Sequence, residues 1–378
     1  MAAASTRDIR LDLFRGLALW FIFLDHIPTN IVSWLTVRNY GFSDATEIFV
    51  YISGYTAVIA YSRMMEREGW TRAAARIYRR VWQLYVAHIL LFVAFSAQIA
   101  FVSIARDTPA LIEEMELLGL GQNPYRAILE AALLRFRPVN LDVLPLYIVL
   151  LAAFPLVLPA VVRWPLGVIA VSVALYAVTC HYNWSLPAYP EEKVWYFNPM
   201  AWQVVFHVGA ACAVLGPRIA WLDRFRWPLT VLAVAFLLFS AFIALSWHYN
   251  PLERLIPAWV SRQIYPIDKT NIDVLRFLHF LAVAWVVRLL VPIDAPFLKW
   301  RIWQPLRRCG EASLLIFCIG TFLALSGQVI VSQHEDSILS QIVVSIAGIA
   351  IMSLAAYVAA WFKAGETARA PRVAKAAE

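Results

Sequence analysis

Long apolar segments alternate with short polar ones along nearly the whole chain of 378 residues. Each apolar segment has roughly 17 to 25 residues, the length of a helix that crosses a bilayer. The apolar runs are continuous and lack the strict alternation of a transmembrane β-strand. The pattern predicts an all-α, polytopic membrane protein with about ten transmembrane helices. We place them near residues 13–33, 45–64, 80–104, 142–162, 165–181, 199–216, 227–247, 272–291, 312–331 and 339–362.

The distribution of positive residues predicts the orientation of these spans. Most of the 32 Lys and Arg residues lie at the two termini and in alternate loops, including residues 63–80 and 299–308. Because Lys and Arg are enriched in cytoplasmic loops, both termini are predicted to be cytoplasmic. We expect one transmembrane domain over residues 1–363 and a disordered cytoplasmic tail over residues 364–378.

Composition narrows the functional classes. The chain is 61% hydrophobic and 15% charged, which excludes an ordinary soluble domain. Its net charge of +7 follows from the membrane orientation, so no nucleic-acid partner is expected. The four cysteines lack metal-ligand spacing, and neither a metal site nor a required disulfide is expected. Walker A, Rossmann and nucleophile-elbow patterns are absent from the sequence, so a hydrolase or nucleotide-driven pump is not supported.

The first apolar segment, residues 11–31, contains Arg15, Asp25 and His26. Charged residues inside a span are costly and point to function. Arg15 and His26 are eleven positions apart, which places them about 20° apart around a helix and about 16 Å apart along it. Asp25 points about 100° away from its neighbour, so we expect it to pair with Arg38 or another outer-side group. Alternatively, Arg15 extends to the lipid headgroups and His26 is a buried, hydrogen-bonded histidine.

The second span begins with Asp44-Ala45-Thr46-Glu47. Glu47 is expected at a depth that matches His26, where a carboxylate would orient the imidazole ring. The alternative is an ordinary carboxylate in the first turn of a helix. Farther along, Ser53 and Gly54 would allow a neighbouring helix or an acyl chain to approach closely.

The arginines that lead into the third span suit a phosphate-bearing ligand. Arg76, Arg79 and Arg80 lie at the predicted cytoplasmic edge of the membrane. Coenzyme A carries several phosphate charges, and guanidinium groups bind phosphate well. The alternative is a basic loop that serves only membrane orientation.

Two similar strings open the fourth and eighth spans, Asn140 to Leu144 and Asn271 to Leu275. Asp142 and Asp273 either cap these helices or face one outward cavity. Arg276 can pair with Asp273, and it suits an acyl carboxylate or sugar hydroxyl groups unless it forms a buried ion pair. Other polar candidates in the spans are His279 in the eighth and Trp202 and Gln203 in the sixth.

Several of these strings resemble a known family. LFRGLALWFIFLDH, with ten residues between Arg and His, is similar to the signature of acyltransferase-3 membrane acyltransferases. FSDATEIFVYISGY, RIYRRVWQLYVAH, LDVLPLYI, FNPMAWQ and NIDVLRFLHFLA resemble the OpgC-type branch, which succinylates osmoregulated periplasmic glucans. The acid at Glu47 is often Asp in the wider family, and Glu311-Ala312 also departs from the family pattern.

The resemblance implies an O-acyltransferase of the bacterial inner membrane. Acyl-coenzyme A, most simply succinyl-coenzyme A, would be a co-substrate from the cytoplasm, and a periplasmic glucan would be the acceptor. No permanently bound cofactor is implied. The resemblance implies that His26 is the catalytic base and Arg15 a structural or donor-side partner. Together with the positions discussed above, the candidate catalytic residues are His26, Glu47 and Asp25; the candidate donor-binding residues are Arg15, Arg76, Arg79, Arg80 and Ser53; and the candidate acceptor-side residues are Asp142, Asp273, Arg276, His279, Trp202 and Gln203.

A different class of function stays open. A transporter or flippase for a glycan or small anion would also need polar groups inside its spans. Arg15, His26, Glu47 and Arg276 could form such a pathway. A transporter would move its substrate without breaking a bond, whereas an acyltransferase would consume a thioester.

Overall fold

The computed structural model describes residues 8–376, and within that range every named element is a helix. The α-helices are α1 Ile9–Asp25, α2 Ala45–Glu68, α3 Trp70–Arg106, α4 Ala110–Glu114, α5 Leu118–Gln122, α6 Pro124–Ala132, α7 Val143–Arg163, α8 Pro165–Tyr182, α9 Pro199–Leu215, α10 Arg226–Ser246, α11 Asn250–Glu253, α12 Ala258–Ile264, α13 Val274–Leu290, α14 Gln304–Glu311, α15 Ser313–Gln333 and α16 Ile338–Ala376. Short 3-10 helices cover Ile31–Leu35, Val37–Tyr40, Gly216–Phe225, Pro296–Lys299 and Arg301–Trp303.

Six helical stretches in the described range are long and apolar enough to cross a membrane. They are α3, α7, α8, α10 together with the second half of the 3-10 helix that precedes it, α15 and most of α16. The all-helical, multi-pass prediction is therefore confirmed. The count of ten spans, the cytoplasmic position of the termini, the single domain and the disorder of residues 364–378 stay predictions.

The first helix is shorter than the predicted span 13–33. It ends at Asp25, and His26 occupies the C-cap with φ of −92° and ψ of 0°. Pro28 follows, Thr29 has a positive φ of 58°, and Asn30 then caps the 3-10 helix Ile31–Leu35. The prediction of a helix through residue 33 is wrong, because proline and a new cap stop it. In contrast, the third helix is longer than its predicted span of residues 80–104, because α3 begins at Trp70, ten residues earlier.

The described residues divide into two compact units, residues 8–39 with 287–376, and residues 40–286. In the second unit α2 packs closely on α9. A Cβ atom on Gly54 would lie 2.0 Å from the backbone oxygen of Phe206, and one on Gly209 would lie 2.2 Å from the oxygen of Tyr51. Small residues let membrane helices approach at this distance. The Ser53-Gly54 segment therefore contacts a helix, as one of its two interpretations required.

In the first unit α1 packs closely on α14, and α15 and α16 complete the bundle. A Cβ atom on Gly16 would lie 1.9 Å from the backbone oxygen of Leu306, and one on Gly310 would lie 1.9 Å from that of Asp12. Asn30 joins the segment after α1 to α16 through hydrogen bonds with Ser345. These contacts hold both ends of α1 within its own unit.

Candidate functional site

The start of α2 brings two carboxylates together through a capping box. Asp44 accepts a hydrogen bond at 2.8 Å from the Thr46 N–H, and Glu47 accepts one at 2.9 Å from the Asp44 N–H. This pattern, an N-cap acid followed three residues later by Glu, satisfies amide donors that a helix start leaves unpaired. The local sequence alone therefore fixes both carboxylates at one end of α2.

Arg276 and Lys269 neutralise these carboxylates. Arg276 donates through Nε to Glu47 Oε1 at 2.9 Å, and its Nη2 atom lies 3.2 Å from Asp44 Oδ2. Lys269 donates to Asp44 Oδ2 at 2.6 Å. Glu47 has no exposed surface and Arg276 is buried. Two positive and two negative groups thus form one compensated cluster, which we call the Asp44–Arg276 cluster, and buried charges require such compensation.

The charges of this cluster change the proton affinity of its members. Burial by itself would raise the pKa of the Asp44 carboxyl, but Lys269 and Arg276 outweigh burial and hold that pKa well below its ordinary value. Burial would likewise lower the pKa of the Lys269 ammonium, but the neighbouring Asp44 carboxylate raises it overall. Both residues are therefore charged at neutral pH.

His279 lies one turn beyond Arg276 and contacts the residue before Asp44. The Ser43 N–H donates to His279 Nδ1 at 3.3 Å, and the Ser43 hydroxyl lies 2.7 Å from the same nitrogen. Because an amide N–H only donates, Nδ1 accepts and a neutral His279 carries its proton on Nε2. His279 thus extends the hydrogen-bonded region around the start of α2.

The two predicted helix-opening aspartates have different partners. Asp273 accepts a hydrogen bond at 2.7 Å from the Leu275 N–H, which is a helix-capping contact. Asp142 accepts a hydrogen bond at 2.8 Å from Arg137 Nε, and the Arg137 guanidinium lies 4.4 Å from the ring centre of Trp195. The repeated string therefore gives a cap in one place and an ion pair in the other.

The predicted residues of the sixth span hold neighbouring segments in place. Trp202 is fully buried and donates through Nε1 to the Lys269 carbonyl at 3.0 Å. Gln203 donates to the Ser172 carbonyl at 2.8 Å and lies 2.9 Å from His207 Nδ1 through its own oxygen. Trp202 therefore supports the loop that carries Lys269, and Gln203 fixes α9 on α8.

His26 and Asp25 lie in the other unit, at the end of α1. The Nδ1 atom of His26 contacts the Ile22 carbonyl, which can only accept, so the neutral ring carries its proton on Nδ1 and its lone pair on Nε2. Asp25 Oδ1 accepts a hydrogen bond at 2.7 Å from Thr36, and Arg38 donates at 2.9 Å to the Asp25 carbonyl. Arg38 thus contacts the backbone of Asp25, and a pairing between the two side chains stays a prediction.

The predicted donor-side residues occupy three helices. Arg15 is half-buried on α1, in the first unit, and Ser53 is buried on α2, where it donates to the Phe49 carbonyl at 2.7 Å. On α3, Arg76 and Arg79 are exposed and Arg80 is half-buried, with a 3.2 Å hydrogen bond to Gln83. Among residues 8–376, no group of three or more His, Cys, Asp or Glu side chains could hold a metal ion.

Sequence reasoning did not assign Ser43, Asp44, Lys269, Arg137 or Asn30 to a site. The Asp-x-x-Glu spacing of the capping box was the signal that could have found Asp44. Lys269 and Arg137 lie in loops that follow no periodic pattern, so their partners become visible only in the fold.

A family comparison covers nearly the whole chain. The family described as OpgC protein matches residues 7–364. No curated protein and no solved structure matches the chain. The matched range includes α1 with Arg15 and His26, the Asp44–Arg276 cluster and the arginines of α3. This chain therefore belongs to the OpgC family.

Proposed function

We propose that this chain is a membrane O-acyltransferase that moves an acyl group, most simply succinyl, from cytoplasmic acyl-coenzyme A to a hydroxyl group of a periplasmic glucan. Membership of the OpgC family implies glucan modification by acyl transfer. The helices that can cross a bilayer are consistent with such an enzyme in a bacterial inner membrane. The observation that carries the mechanism is the position and tautomer of His26.

His26 is the proposed general base. Its Nδ1 proton points to the Ile22 carbonyl, so Nε2 of the neutral ring can take a proton. As a sugar hydroxyl attacks the thioester carbonyl, its proton passes to Nε2 and a tetrahedral intermediate forms. When the carbon–sulfur bond breaks, the proton passes from Nε2 to the departing thiolate of coenzyme A. The products are a sugar ester and free coenzyme A.

The contacts of Asp25 and Glu47 favour roles in positioning the backbone segments that carry them. The Thr36 and Arg38 contacts of Asp25 hold the segment just after α1, and so hold the backbone next to His26. The hydrogen bonds of Glu47 with Arg276 and with the Asp44 N–H favour a positioning role for Glu47 at the start of α2. The pairing of Glu47 with His26 stays a prediction.

Donor binding is proposed on the predicted cytoplasmic side. Exposed guanidinium groups at Arg76 and Arg79, with Arg80 beside them, suit the phosphates of coenzyme A. Arg15 would border the path of the donor. Ser53, whose hydroxyl already bonds to Phe49, would contribute small size rather than a hydrogen bond.

Acceptor binding is proposed on the opposite side, where α2, α7 and α13 begin. Asp142, Asp273, Arg276, His279, Trp202 and Gln203 would shape this region by fixing helix ends and loops. Arg276 is already compensated by Glu47 and Asp44. We therefore propose that Arg276 organises the region and does not supply the main charge for a succinyl carboxylate.

The experiment that tests the reaction class uses purified protein in nanodiscs. Succinyl-coenzyme A and periplasmic glucan are added, free thiol is followed, and the glucan is analysed by mass spectrometry. The proposal predicts glucan-dependent thiol release and succinylated glucan. Glucan transport across proteoliposomes without thiol release would favour the transporter, for which the buried charges of the Asp44–Arg276 cluster are the supporting observation.

A further inference from the structure

The packing of α1 on α14 sets two arginines at one level. Gly16 meets Leu306, and Asp12, one turn earlier on α1, meets Gly310, one turn later on α14. The two helices therefore run antiparallel, and this register brings Arg15 of α1 level with Arg307 of α14.

Arg307 and Trp303 also present hydrogen-bond donors to the interior. Arg307 Nε and Trp303 Nε1 are both buried, and neither has a hydrogen-bond partner within residues 8–376. The two residues are four positions apart, so they lie on the same face of this helical segment, one turn from each other. Buried N–H groups are nearly always paired, so two neighbouring exceptions indicate an acceptor-bearing ligand.

The side chain of Trp303 is held by apolar packing. It packs with Trp20 and Leu17 against the buried residues Leu13 and Leu306. A ring fixed in this way directs its Nε1–H group in one direction. Binding of an acceptor therefore costs little side-chain conformational entropy. The donor is therefore preorganised rather than a flexible surface group.

Basic side chains precede and follow these donors in the sequence. Lys299 and Arg301 are exposed on the short helices before α14, and Arg308 is balanced by Glu311 at 2.9 Å. The positive-inside distribution predicts that this segment lies on the cytoplasmic side. An anionic group that comes from the cytoplasm would thus meet a basic entrance and two oriented N–H donors.

We propose that Arg307 and Trp303, level with Arg15, form a phosphate-binding site that holds a phosphate of acyl-coenzyme A. This assignment rests on the proposed acyl-transfer function and adds a donor subsite from α14 to it. Guanidinium and indole N–H groups both donate to phosphate oxygens, and the guanidinium supplies the opposite charge. The phosphate of an anionic lipid has the same chemistry, so the test separates the two sources.

The test measures binding of labelled coenzyme A to the full chain in nanodiscs that contain only phosphatidylcholine. Arg307→Gln should weaken binding about 10-fold, the effect of losing about 1.4 kcal/mol. Trp303→Phe keeps the ring and removes Nε1–H, and should weaken binding about 3-fold to 10-fold. The matched control is Arg262→Gln, which removes the same charge from an exposed position of α12 and should stay within about 2-fold. Binding of pantetheine, which lacks phosphate, should not change in any variant.

Other outcomes would overturn the assignment. Unchanged coenzyme A binding in both Arg307→Gln and Trp303→Phe, with wild-type melting temperatures, would reject the site. Loss of phosphatidylglycerol binding in mixed nanodiscs, with coenzyme A binding unchanged, would reject the donor assignment in favour of a lipid headgroup. If Arg307→Gln does not fold, Arg307→Lys must bind coenzyme A more weakly than wild type, because it keeps the charge and loses the Nε donor.

Failure of this site can be told apart from failure of the acyl-transfer proposal. Arg307→Gln should raise the KM for succinyl-coenzyme A and leave kcat nearly unchanged, because the subsite holds the donor away from the reacting carbonyl. One result would support the site and reject the enzyme. In that result, wild type binds coenzyme A, Arg307→Gln binds it more weakly, and wild type transfers no acyl group. Acyl transfer by wild type, with an unchanged KM for succinyl-coenzyme A in Arg307→Gln, would support the enzyme and reject the site.

Discussion

The Nη2 atom of Arg276 lies 2.6 Å from Oε1 of Glu47, although 229 residues separate them in the sequence. This contact joins the start of α2 to the start of α13. Because both groups are buried, the loss of either one would leave the Asp44–Arg276 cluster with an unbalanced charge. The Asp44–Arg276 cluster is therefore a structural centre of the unit formed by residues 40–286.

Replacement of Arg276 by Gln should destabilise the protein. The change leaves Glu47 and Asp44 short of one positive partner inside the protein, and we expect the free energy of unfolding to fall by about 3–5 kcal/mol. Thermal unfolding in one detergent measures the effect. Arg262→Gln, at an exposed position of α12, is the matched control and should behave like wild type.

A double replacement checks that the loss comes from the ion pair. Glu47→Gln combined with Arg276→Gln removes both charges, so its destabilisation should be smaller than the sum of the two single changes. Additive single effects would show that the two side chains contribute independently, contrary to the contact described.

The stability of the protein should depend on Asp44 in acid. The folded-state pKa of Asp44 lies well below the ordinary value of 3.8, which the unfolded chain retains. Its stabilising contribution is therefore complete above that ordinary value and is lost as the pH falls from it toward the folded-state pKa. Melting temperatures measured down through this range should fall more for wild type than for Asp44→Asn. Parallel curves for the two proteins would contradict this prediction.

Asn30 should be a positioning residue for His26. Its side-chain amide donates to the Leu24 carbonyl at 3.3 Å and to Ser345 at 3.1 Å, so it holds the backbone on both sides of the α1 C-cap. We expect Asn30→Ala to lower kcat for acyl transfer about 10-fold or more, because small displacements of a base are costly. The KM for the donor should change little.

A control separates this effect from general loss of stability. Ser332→Ala changes an exposed serine on α15 and should keep wild-type kcat. Equal losses of kcat and of folded protein in Asn30→Ala would mean that Asn30 acts on stability alone.

Gly16→Ala should separate α1 from α14. The new Cβ atom would lie 1.9 Å from the backbone oxygen of Leu306, and a backbone atom cannot rotate away. We expect a loss of about 1–3 kcal/mol of folding free energy, measured by thermal unfolding. Gly121→Ala is the control, since no atom outside its chain neighbours and its own helix backbone lies within 4 Å of the added Cβ, and the helix gains an alanine. If Gly16→Ala were as stable as wild type while Gly121→Ala was destabilised, the close packing of α1 on α14 at Gly16 would be contradicted.

The sequence predicted the helical elements well because long apolar runs have a direct physical meaning in a bilayer. The early end of α1 at Asp25 was harder to predict, since the apolar run continues past Pro28 and only the cap at Asn30 marks the break. The local spacing of Asp44 and Glu47 was also sufficient to predict their capping box. It could not predict the partner Lys269, which contacts Asp44 from a loop 225 residues away.

The same limit explains the outcome for Arg276. Sequence spacing offered Asp273 as its helix neighbour, but Asp273 caps the helix while Arg276 turns to α2. Helical periodicity tells which residues share a face and does not tell which other helix that face meets. Long-range ion pairs therefore had to come from the structure.

The most direct test of the account is acyl transfer by His26→Ala. Wild type and variant, both in nanodiscs, receive succinyl-coenzyme A and periplasmic glucan, and free thiol and succinylated glucan are measured. We predict that the rate falls by at least about 100-fold in the variant, the usual contribution of a general base, while coenzyme A still binds. A folded His26→Ala protein that succinylates glucan at the wild-type rate would contradict the account.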